Sequence, residues 1–257
     1  MTARPVAMIT GASVGLGAAF ARELCRQGYD LVLVARDSAR LDEIAAELRG
    51  SGRDIETLSA DLATDAGCAV VAARIGATDC PVDVLVNNAG KGIYEPFGER
   101  SLADEEGLLD LNVRAVLRLS HAAIRAMRAR GRGQIINVSS VASLVPRGFG
   151  ATYAASKAWV TAFSEDLSQQ LGGTGVRVTA VCPGFVHTEF HQRAGIGRAD
   201  VPDWMWLDAE QVVRTALADA ARGRPVSIPG RQWKTMIGLS RSVPRPALRR
   251  IMRGRTL

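Results

Sequence analysis

A tyrosine and a lysine four residues apart could together act as an acid–base pair. Tyr153 and Lys157 lie in the segment ATYAASKAWV, where this spacing places both side chains on one face of a helix, one turn apart. A phenol is a poor proton donor near neutral pH unless a nearby cation lowers its pKa, and Lys157 could supply that charge. Ser140, thirteen residues before Tyr153, could hold an oxygen on which negative charge develops. The same pattern also arises by chance, with an ordinary tyrosine, a solvated lysine and a turn-forming serine.

A glycine-rich turn near the start of the chain could hold phosphate groups. The stretch TGASVGLG, residues 10–17, follows a short apolar run and precedes a segment with helical spacing. Gly11 permits a tight turn, Gly15 lets the backbone approach a pyrophosphate, and Gly17 allows close packing of helix on strand. The helix N-terminus adds free N–H groups and a favourable dipole. Strand, turn and helix in this order favour a dinucleotide site over a plain turn.

Strand-like and helix-like segments alternate along the chain and would position these groups. The strand-like segments are continuous apolar runs, as expected in a parallel sheet with both faces covered. The pattern predicts an α/β fold, a single doubly wound Rossmann-type domain over residues 1–257 with a parallel seven-stranded sheet. The predicted strands are 5–10, 30–36, 54–62, 82–87, 133–139 and 176–184, with segment 225–230 after the last helix; the predicted helices are 18–28, 38–52, 64–76, 101–130, 152–171 and 208–222.

Composition and charge exclude several classes of protein. No apolar run reaches the ~18 residues of a membrane-spanning helix. The N-terminal residues run almost directly into a strand-like segment, which predicts no signal peptide. The four cysteines are scattered without a CxxC pair, which predicts reduced, buried thiols in a cytoplasmic protein. The net charge is +6, whereas residues 231–257 carry eight Arg and Lys residues and no acidic one, so the rest of the chain is near neutral.

Taken together, these motifs resemble those of the short-chain dehydrogenase/reductase family, from Thr10 to about Thr188. The stretch TGASVGLG is similar to that family's cofactor turn, NNAG at 87–90 to its fourth-strand motif, and PGFVHT at 183–188 to its nicotinamide loop. The resemblance implies that Lys157 also binds the nicotinamide ribose, and that Asn112, in the long helix, holds a water linking Lys157 to solvent. The family spacing favours Ser140 over Ser139. The implied catalytic residues are Asn112, Ser140, Tyr153 and Lys157.

The activity implied by the resemblance is that of an oxidoreductase that interconverts a ketone and a secondary alcohol. Tyr153 would be the acid in reduction and the base in oxidation. One alternative is a catalytically silent dinucleotide-binding sensor or scaffold, which the intact set of catalytic residues disfavours. Another is an adaptor at a membrane surface.

The residue after the second strand bears on the choice of cofactor. Arg36 stands where NADP-preferring members of the family carry an arginine, so NADP(H) is the predicted cofactor and NAD(H) the alternative. Asp37 is expected to face away, and Val14 leaves the glycine turn without a second cation. The cofactor contacts implied by the resemblance are Gly11, Ser13, Gly15, Leu16, Gly17, Arg36, Asp61, Leu62, Asn87, Asn88, Ala89, Gly90, Tyr153, Lys157, Pro183, Gly184, Val186 and Thr188.

Residues 185–207 are predicted to form a lid over the substrate. The segment is rich in aromatic residues, which suits a hydrophobic ketone, such as an acyl or steroid-like one; the alternative is that these rings pack the lid on the body. His187 and His191 are spaced as metal ligands could be, but no third ligand cluster is evident, so no metal site is predicted. The aromatic residues of the lid are Phe185, Phe190, Trp204 and Trp206.

The basic C-terminal tail, residues 231–257, mixes apolar residues with its arginines. Packing on the body or on a partner subunit is favoured, and peripheral contact with an anionic membrane is the alternative. Nucleic-acid binding is disfavoured because the rest of the chain has no basic patch. The resemblance implies a homodimer or homotetramer that acts on a small carbonyl or alcohol.

Overall fold

The computed structural model describes residues 4–144, 150–190 and 201–242. The strands are β1 (Val6–Thr10), β2 (Asp30–Ala35), β3 (Ile55–Ser59), β4 (Val82–Asn87), β5 (Gly133–Val138), β6 (Val176–Val181), β7 (Phe185–Val186), β8 (Trp206–Leu207) and β9 (Val226–Ser227). The α-helices are α1 (Gly15–Arg26), α2 (Ser38–Arg49), α3 (Asp65–Ile75), α4 (Leu102–Leu109), α5 (Ala115–Arg130), α6 (Ala151–Gln170), α7 (Ala209–Ala221) and α8 (Arg231–Ser242).

Seven of these strands form one parallel sheet, in the order β3-β2-β1-β4-β5-β6-β9. The predicted α/β fold class with a seven-stranded parallel sheet is therefore confirmed. After β3 the chain crosses back to place β4 on the other side of β1, so the strand order reverses direction there. In folds of this kind, ligands bind in the crevice outside the carboxyl ends of the strands at such a reversal.

Helices cover both faces of the sheet, which explains the continuous apolar runs in its strands. Successive residues of β1 point to opposite faces, so Ala7 and Ile9 pack with α1, α2 and α7, while Met8 packs with α3 and α5. The two apolar layers hold the carboxyl ends of β1, β4 and β5 at one edge of the sheet.

The predicted helix 101–130 is interrupted where the site begins. The helix α4 ends at Leu109, a π-helical turn spans Asp110–Arg114, and α5 starts at Ala115. A π-helical turn inserts an extra residue and changes the direction of the side chains on it. Asn112 lies on this turn rather than within a continuous α-helix.

Most other element boundaries differ from the predictions by a few residues, and one cysteine differs in its exposure. The edge strand β3 ends at Ser59 because Asp61 turns the chain, with its Oδ1 accepting a hydrogen bond from the Ala63 N–H at 3.0 Å. The final strand β9 has only two residues. Cys80 is exposed, contrary to the prediction of four buried thiols, whereas the other three cysteines are buried; all four are free thiols.

Candidate active site

A cavity of about 880 Å³ opens at the carboxyl ends of the central strands. It runs from the end of β2, past the glycine turn, to α6 and the loop after β6. Three of the predicted residues lie behind its wall: Gly17, Asn87 and Asn112. The predicted residues that line it are Gly11, Ser13, Gly15, Leu16, Arg36, Asp61, Leu62, Asn88, Ala89, Gly90, Ser140, Tyr153, Lys157, Pro183, Gly184, Val186 and Thr188.

The glycine turn has the shape that a phosphate cradle requires. Gly11 and Gly15 have φ angles of 64° and 57°, which L side chains rarely adopt. A Cβ on Gly17 would lie 2.0 Å from the Gly11 carbonyl oxygen, so only glycine lets α1 pack this closely on the turn. No side chain caps the start of α1, and Val14, Gly15 and Leu16 line the cavity there, so the first N–H groups of the helix have no capping side chain beside the cavity. These features fit the phosphates of a dinucleotide.

Thr10 and Asn88 fix this turn against the end of β4. The Thr10 hydroxyl donates to the Val86 carbonyl at 3.3 Å and accepts from the N–H groups of Asn88 and Ala89. The Asn88 amide Nδ2 donates to the carbonyls of Thr10 and Gly11 at 2.8 and 3.2 Å. Thr10 stands only at the edge of the sequence motif, and its positioning role is not evident there because it depends on the pairing of β1 with β4.

Two arginines and an aspartate border the cavity after β2. Arg36 lines it, and so does Arg40, which lies one helical turn later on α2. Asp37 also lines it, contrary to the expectation that it faces away; its Oδ1 accepts the Arg40 N–H at 3.1 Å and caps α2. The glycine turn carries no second cation, as its sequence predicts, and Arg40 comes instead from the next helix.

Tyr153 and Lys157 lie one turn apart on α6 and both line the cavity. The Lys157 Nζ lies 5.9 Å from the centroid of the Tyr153 ring and donates to the Val138 carbonyl at 2.9 Å. That carbonyl ends β5, so the sheet holds the ammonium group on the side of α6 that carries the phenol. The two side chains are therefore brought together as the spacing predicts.

Burial changes the acidity of the Lys157 side chain. Because the buried ammonium group loses hydration, its pKa falls from 10.5 to about 8. The group still carries its proton at neutral pH. A cation buried beside a phenol acts through a lower dielectric than water provides, so its effect on the phenol is strengthened.

The two serines after β5 have different partners. The Ser139 hydroxyl donates to the Lys157 carbonyl at 2.8 Å and bonds Thr161 Oγ1 at 2.8 Å, so it fastens β5 to α6. The Ser140 Oγ accepts the Ala142 N–H at 3.1 Å and lines the cavity. Both serines line the cavity, but the Ser139 hydroxyl is buried and already bonded to two oxygens, which favours Ser140 as the serine that meets a ligand.

Asn112 supports the site from behind. Its Oδ1 accepts the Lys91 N–H at 3.0 Å, and its Nδ2 donates to the Lys91 carbonyl at 2.9 Å and to Ser156 Oγ at 3.2 Å. A Cβ on Gly90 would lie 3.1 Å from Asn112 Oδ1 and 3.5 Å from Lys157 Nζ, so Gly90 lies between the two side chains. The π-helical turn aims Asn112 at this backbone.

Asn87 is also directed away from the cavity. The side chain is buried, and its Nδ2 donates to Ser120 Oγ at 3.2 Å and to Asn137 Oδ1 at 2.9 Å. Asn137 donates in turn to Ser164 Oγ at 2.9 Å. This buried network joins β4, β5, α5 and α6, and it places Asn87 within the core rather than at the cavity edge where the resemblance implied it.

Two aromatic side chains pack beside Tyr153. The rings of Tyr94 and Phe190 lie 5.3 and 6.0 Å from the Tyr153 ring, centroid to centroid. Only 5% of Tyr153 is exposed. Phe190 belongs to the aromatic residues predicted for the lid, whereas no local sequence pattern distinguishes Tyr94.

The four aromatic residues predicted for the lid do not share one environment. Phe185 and Trp206 face each other across the β7–β8 pair, with ring centroids 5.5 Å apart, and pack on the body. His187 stacks on Trp206 at 4.9 Å. Phe190 faces Tyr153, and Trp204 is exposed. His191 lies outside the described residues, and within the described ranges no three potential metal ligands cluster.

The first part of the basic tail, α8, packs on the body beneath the loop after β6. Trp233 and Ile237 are buried, and the Trp233 Nε1 donates to the Met205 carbonyl at 3.0 Å. A Cβ on Gly184 would lie 1.9 Å from the Trp233 ring. Residues 243–257 of the predicted tail lie outside the described residues. No helix in the described part of the chain is long and apolar enough to cross a membrane.

We expect Trp233→Ala to lower the free energy of unfolding by about 3–5 kcal/mol, because it leaves a cavity in this cluster and an unpaired Met205 carbonyl. Urea denaturation followed by circular dichroism would measure the change. Trp204→Ala makes the same substitution at a site that is 60% exposed and should stay within about 0.5 kcal/mol of the parent. Equal effects of the two substitutions would contradict the packing role of Trp233.

Comparison with known proteins finds a matching family and similar proteins. The family described as short chain dehydrogenase matches residues 5–198. The NADP-dependent 3-hydroxy acid dehydrogenase YdfG of Escherichia coli is 35% identical over 187 residues, which cover 72% of this chain and 74% of that protein.

Solved structures superpose over almost the whole chain. A short-chain dehydrogenase from Sphingobium yanoikuyae in complex with NADPH has a TM-score of 0.84 and 36% identity, and the match covers 93% of this chain and 94% of that one. The bulky-bulky ketone specific alcohol dehydrogenase from Comamonas testosteroni has a TM-score of 0.80 and 32% identity, over 93% of this chain and 92% of that one.

Proposed function

The chain belongs to the short-chain dehydrogenase family, and from that premise we propose that it is an NADP(H)-dependent oxidoreductase that interconverts a ketone and a secondary alcohol on a hydrophobic substrate. One observation carries the proposal: Tyr153 and the buried cation of Lys157 lie one helical turn apart on the same cavity that the glycine turn borders. A proton donor and a phosphate cradle in one cavity are what carbonyl reduction by a dinucleotide needs.

The residues of the chain then handle the proton and the substrate oxygen. When bound, the nicotinamide supplies or accepts the hydride. The Tyr153 hydroxyl gives its proton to the substrate oxygen in reduction and takes one back in oxidation, with its pKa lowered by Lys157. Ser140 donates a hydrogen bond to that oxygen as negative charge grows on it. Asn112 holds the backbone of Lys91 in place. Its further proposed role is to hold a water that links Lys157 to solvent.

NADP(H) is favoured over NAD(H) by the positive charge after β2. Arg36 and Arg40 both line the cavity there, and a planar guanidinium suits a phosphate group. The Escherichia coli relative is NADP-dependent and the Sphingobium yanoikuyae structure contains NADPH. The proposed contacts along the rest of the cofactor are the residues on the cavity wall.

Arg36→Asp is expected to weaken NADPH binding about tenfold or more while changing NADH binding much less, because the reversed charge repels only the additional phosphate directly. Titration with each cofactor, followed by its fluorescence, measures both dissociation constants. Arg49→Asp, an exposed change of equal charge at the far end of α2, should alter neither. An equal loss of affinity for NADPH and for NADH would contradict the preference for NADP(H).

A hydrophobic substrate is supported by the rings around the phenol. Tyr94, Phe190 and the buried Ile93 border the region next to Tyr153. The Comamonas testosteroni relative acts on bulky ketones, which is consistent with an apolar binding surface. Acyl, steroid-like and other lipophilic carbonyl compounds fit this description.

The proposal is tested by incubating the full-length protein with NADPH and a panel of acyl, steroid-like, aromatic and sugar ketones. Loss of NADPH absorbance with the lipophilic members of the panel is the expected result, faster than with NADH. Tight NADPH binding without turnover on any ketone, or in the reverse direction on any alcohol, would instead support a catalytically silent sensor or scaffold.

We also propose that the chain assembles as a homodimer or homotetramer. Leu109 and Leu117 are exposed, and the half-exposed rings of Trp159 and Phe163 stack on the outer face of α6 with centroids 4.5 Å apart. Apolar side chains on an outer surface commonly mark association sites. Light scattering of the purified protein measures the number of subunits.

A further inference from the structure

An ion pair connects two walls of the cavity that are distant in the sequence. The Arg40 Nη1 on α2 lies 3.1 Å from the Glu189 Oε2, across a separation of 149 residues. Glu189 follows Thr188, whose Cβ lies 3.2 Å from the position that a Cβ on Gly15 would take. The pair therefore joins the start of α2 to the segment that crosses the glycine turn.

This ion pair is accessible and can be exchanged. The side chains of Arg40 and Glu189 are 42% and 45% exposed. Exposed pairs contribute at most about 1 kcal/mol to stability, so breaking this one costs the fold little. A phosphate group, which accepts two parallel hydrogen bonds from a guanidinium, is a strong competitor for Arg40.

The two arginines on this side of the cavity differ in their partners. Within residues 4–144, 150–190 and 201–242, Arg36 makes no ion pair. Arg40 is held by Glu189 and also lies 3.7 Å from Asp37. Arg36 is thus available to an incoming anion at once, whereas Arg40 must first be released from a carboxylate.

We propose that Arg40 is a second ligand for the 2′-phosphate of NADPH, and that Glu189 limits the preference for NADPH over NADH by competing for Arg40. NADH has no group that can replace the carboxylate, so it leaves the pair between Arg40 and Glu189 intact. NADPH draws Arg40 toward its 2′-phosphate and breaks its ion pair with Glu189. The inference deepens the proposed function, because it concerns the same cofactor.

The test measures binding of 2′,5′-ADP and of 5′-AMP, which lack the nicotinamide, to the full-length protein by calorimetry. Glu189→Gln should tighten 2′,5′-ADP about three- to tenfold and 5′-AMP less than about twofold, because Arg40 loses its nearest carboxylate and keeps only the more distant Asp37 at 3.7 Å. Arg40→Gln should weaken 2′,5′-ADP about tenfold and leave 5′-AMP nearly unchanged. In the Arg40→Gln background, Glu189→Gln should have no further effect.

A matched control separates this result from a general change of charge. Glu47→Gln breaks another exposed pair on α2, with Arg22 at 2.7 Å, and should change neither dissociation constant. Equal tightening of both nucleotides by Glu189→Gln would overturn the proposal. So would a gain in 2′,5′-ADP affinity that persists without Arg40, because the carboxylate would then act by repulsion alone.

The experiment distinguishes a failure of the proposed function from a failure of this inference about Arg40 and Glu189. These nucleotides bind without turnover, so the coupling between Arg40 and Glu189 can be measured even if no ketone is reduced. Conversely, active reduction of ketones with uncoupled Arg40 and Glu189 would overturn only the present inference.

Discussion

Tyr153→Phe is expected to lower kcat for ketone reduction by about 10²–10⁴-fold, the range found when a general acid is removed. The substitution deletes the hydroxyl and keeps the ring, which lies between Tyr94 and Phe190. Because the packing is preserved, the dissociation constant for NADPH should change by less than about threefold. Steady-state kinetics and a cofactor titration measure the two effects separately.

The matched control for this substitution is Tyr29→Phe, which also removes one phenolic oxygen. Tyr29 packs against the apolar layer formed by α1, α2 and β1, and it does not line the cavity. Its kcat should stay close to that of the parent. If Tyr153→Phe kept turnover within tenfold of the parent, the phenol would not be the proton donor.

Lys157→Met is expected to act in opposite directions on turnover and on stability. Turnover should fall about 10²-fold or more, because the proposed proton donor loses its neighbouring cation. The protein without cofactor should become more stable at neutral pH, because burying the ammonium group costs about 3 kcal/mol for the shift from 10.5 to about 8. The Val138 carbonyl loses its partner at a cost of about 1 kcal/mol, so the net gain is about 2 kcal/mol.

The lowered pKa of Lys157 also determines how the stability difference between the parent and Lys157→Met varies with pH. The folded pKa lies below the unfolded one, so between about pH 8 and pH 10.5 the unfolded chain binds more protons than the folded chain. The stability of the parent relative to Lys157→Met should therefore rise through this window and be lowest below about pH 8. Urea denaturation of both proteins across the window measures the difference.

Lys234→Met is the corresponding control, because Lys234 is exposed on α8. Its stability difference from the parent should not vary with pH in this range. A Lys157→Met protein that is less stable than the parent at pH 7, or a difference that does not change with pH, would contradict the burial cost assigned to the ammonium group.

Sequence patterns predict the fold and the chemistry where the relevant residues are close together in the chain. The Tyr153–Lys157 pair depends on one helical turn, and the glycine turn on eight consecutive residues, so both are evident in the sequence. The order of apolar runs likewise predicts the parallel sheet, because it reflects which faces helices cover.

Features that depend on pairing between distant segments are not predicted. Nothing local connects Arg40 with Glu189, or Tyr94 with Tyr153; the order of strands brings them together. Asn112 lies in a run with good helical spacing, and only the structure shows the π-helical turn that directs it toward Lys91. The apolar residues of the tail favour packing on the body as a pattern, but only the structure shows which of them do so, namely Trp233 and Ile237 of α8.

The contact between Gly184 and Trp233 determines where the arginine-rich end can be truncated without disturbing the fold. A protein truncated at residue 230 would lose the Trp233 indole, which fills the space under the loop after β6. The apolar surface uncovered there would bind lipid or other copies of the protein whatever the charge of the tail. Vesicle flotation with such a fragment would therefore report an artefact of the deletion. A fragment ending at residue 242 keeps the indole, so vesicle flotation of this fragment should be compared with that of the intact protein.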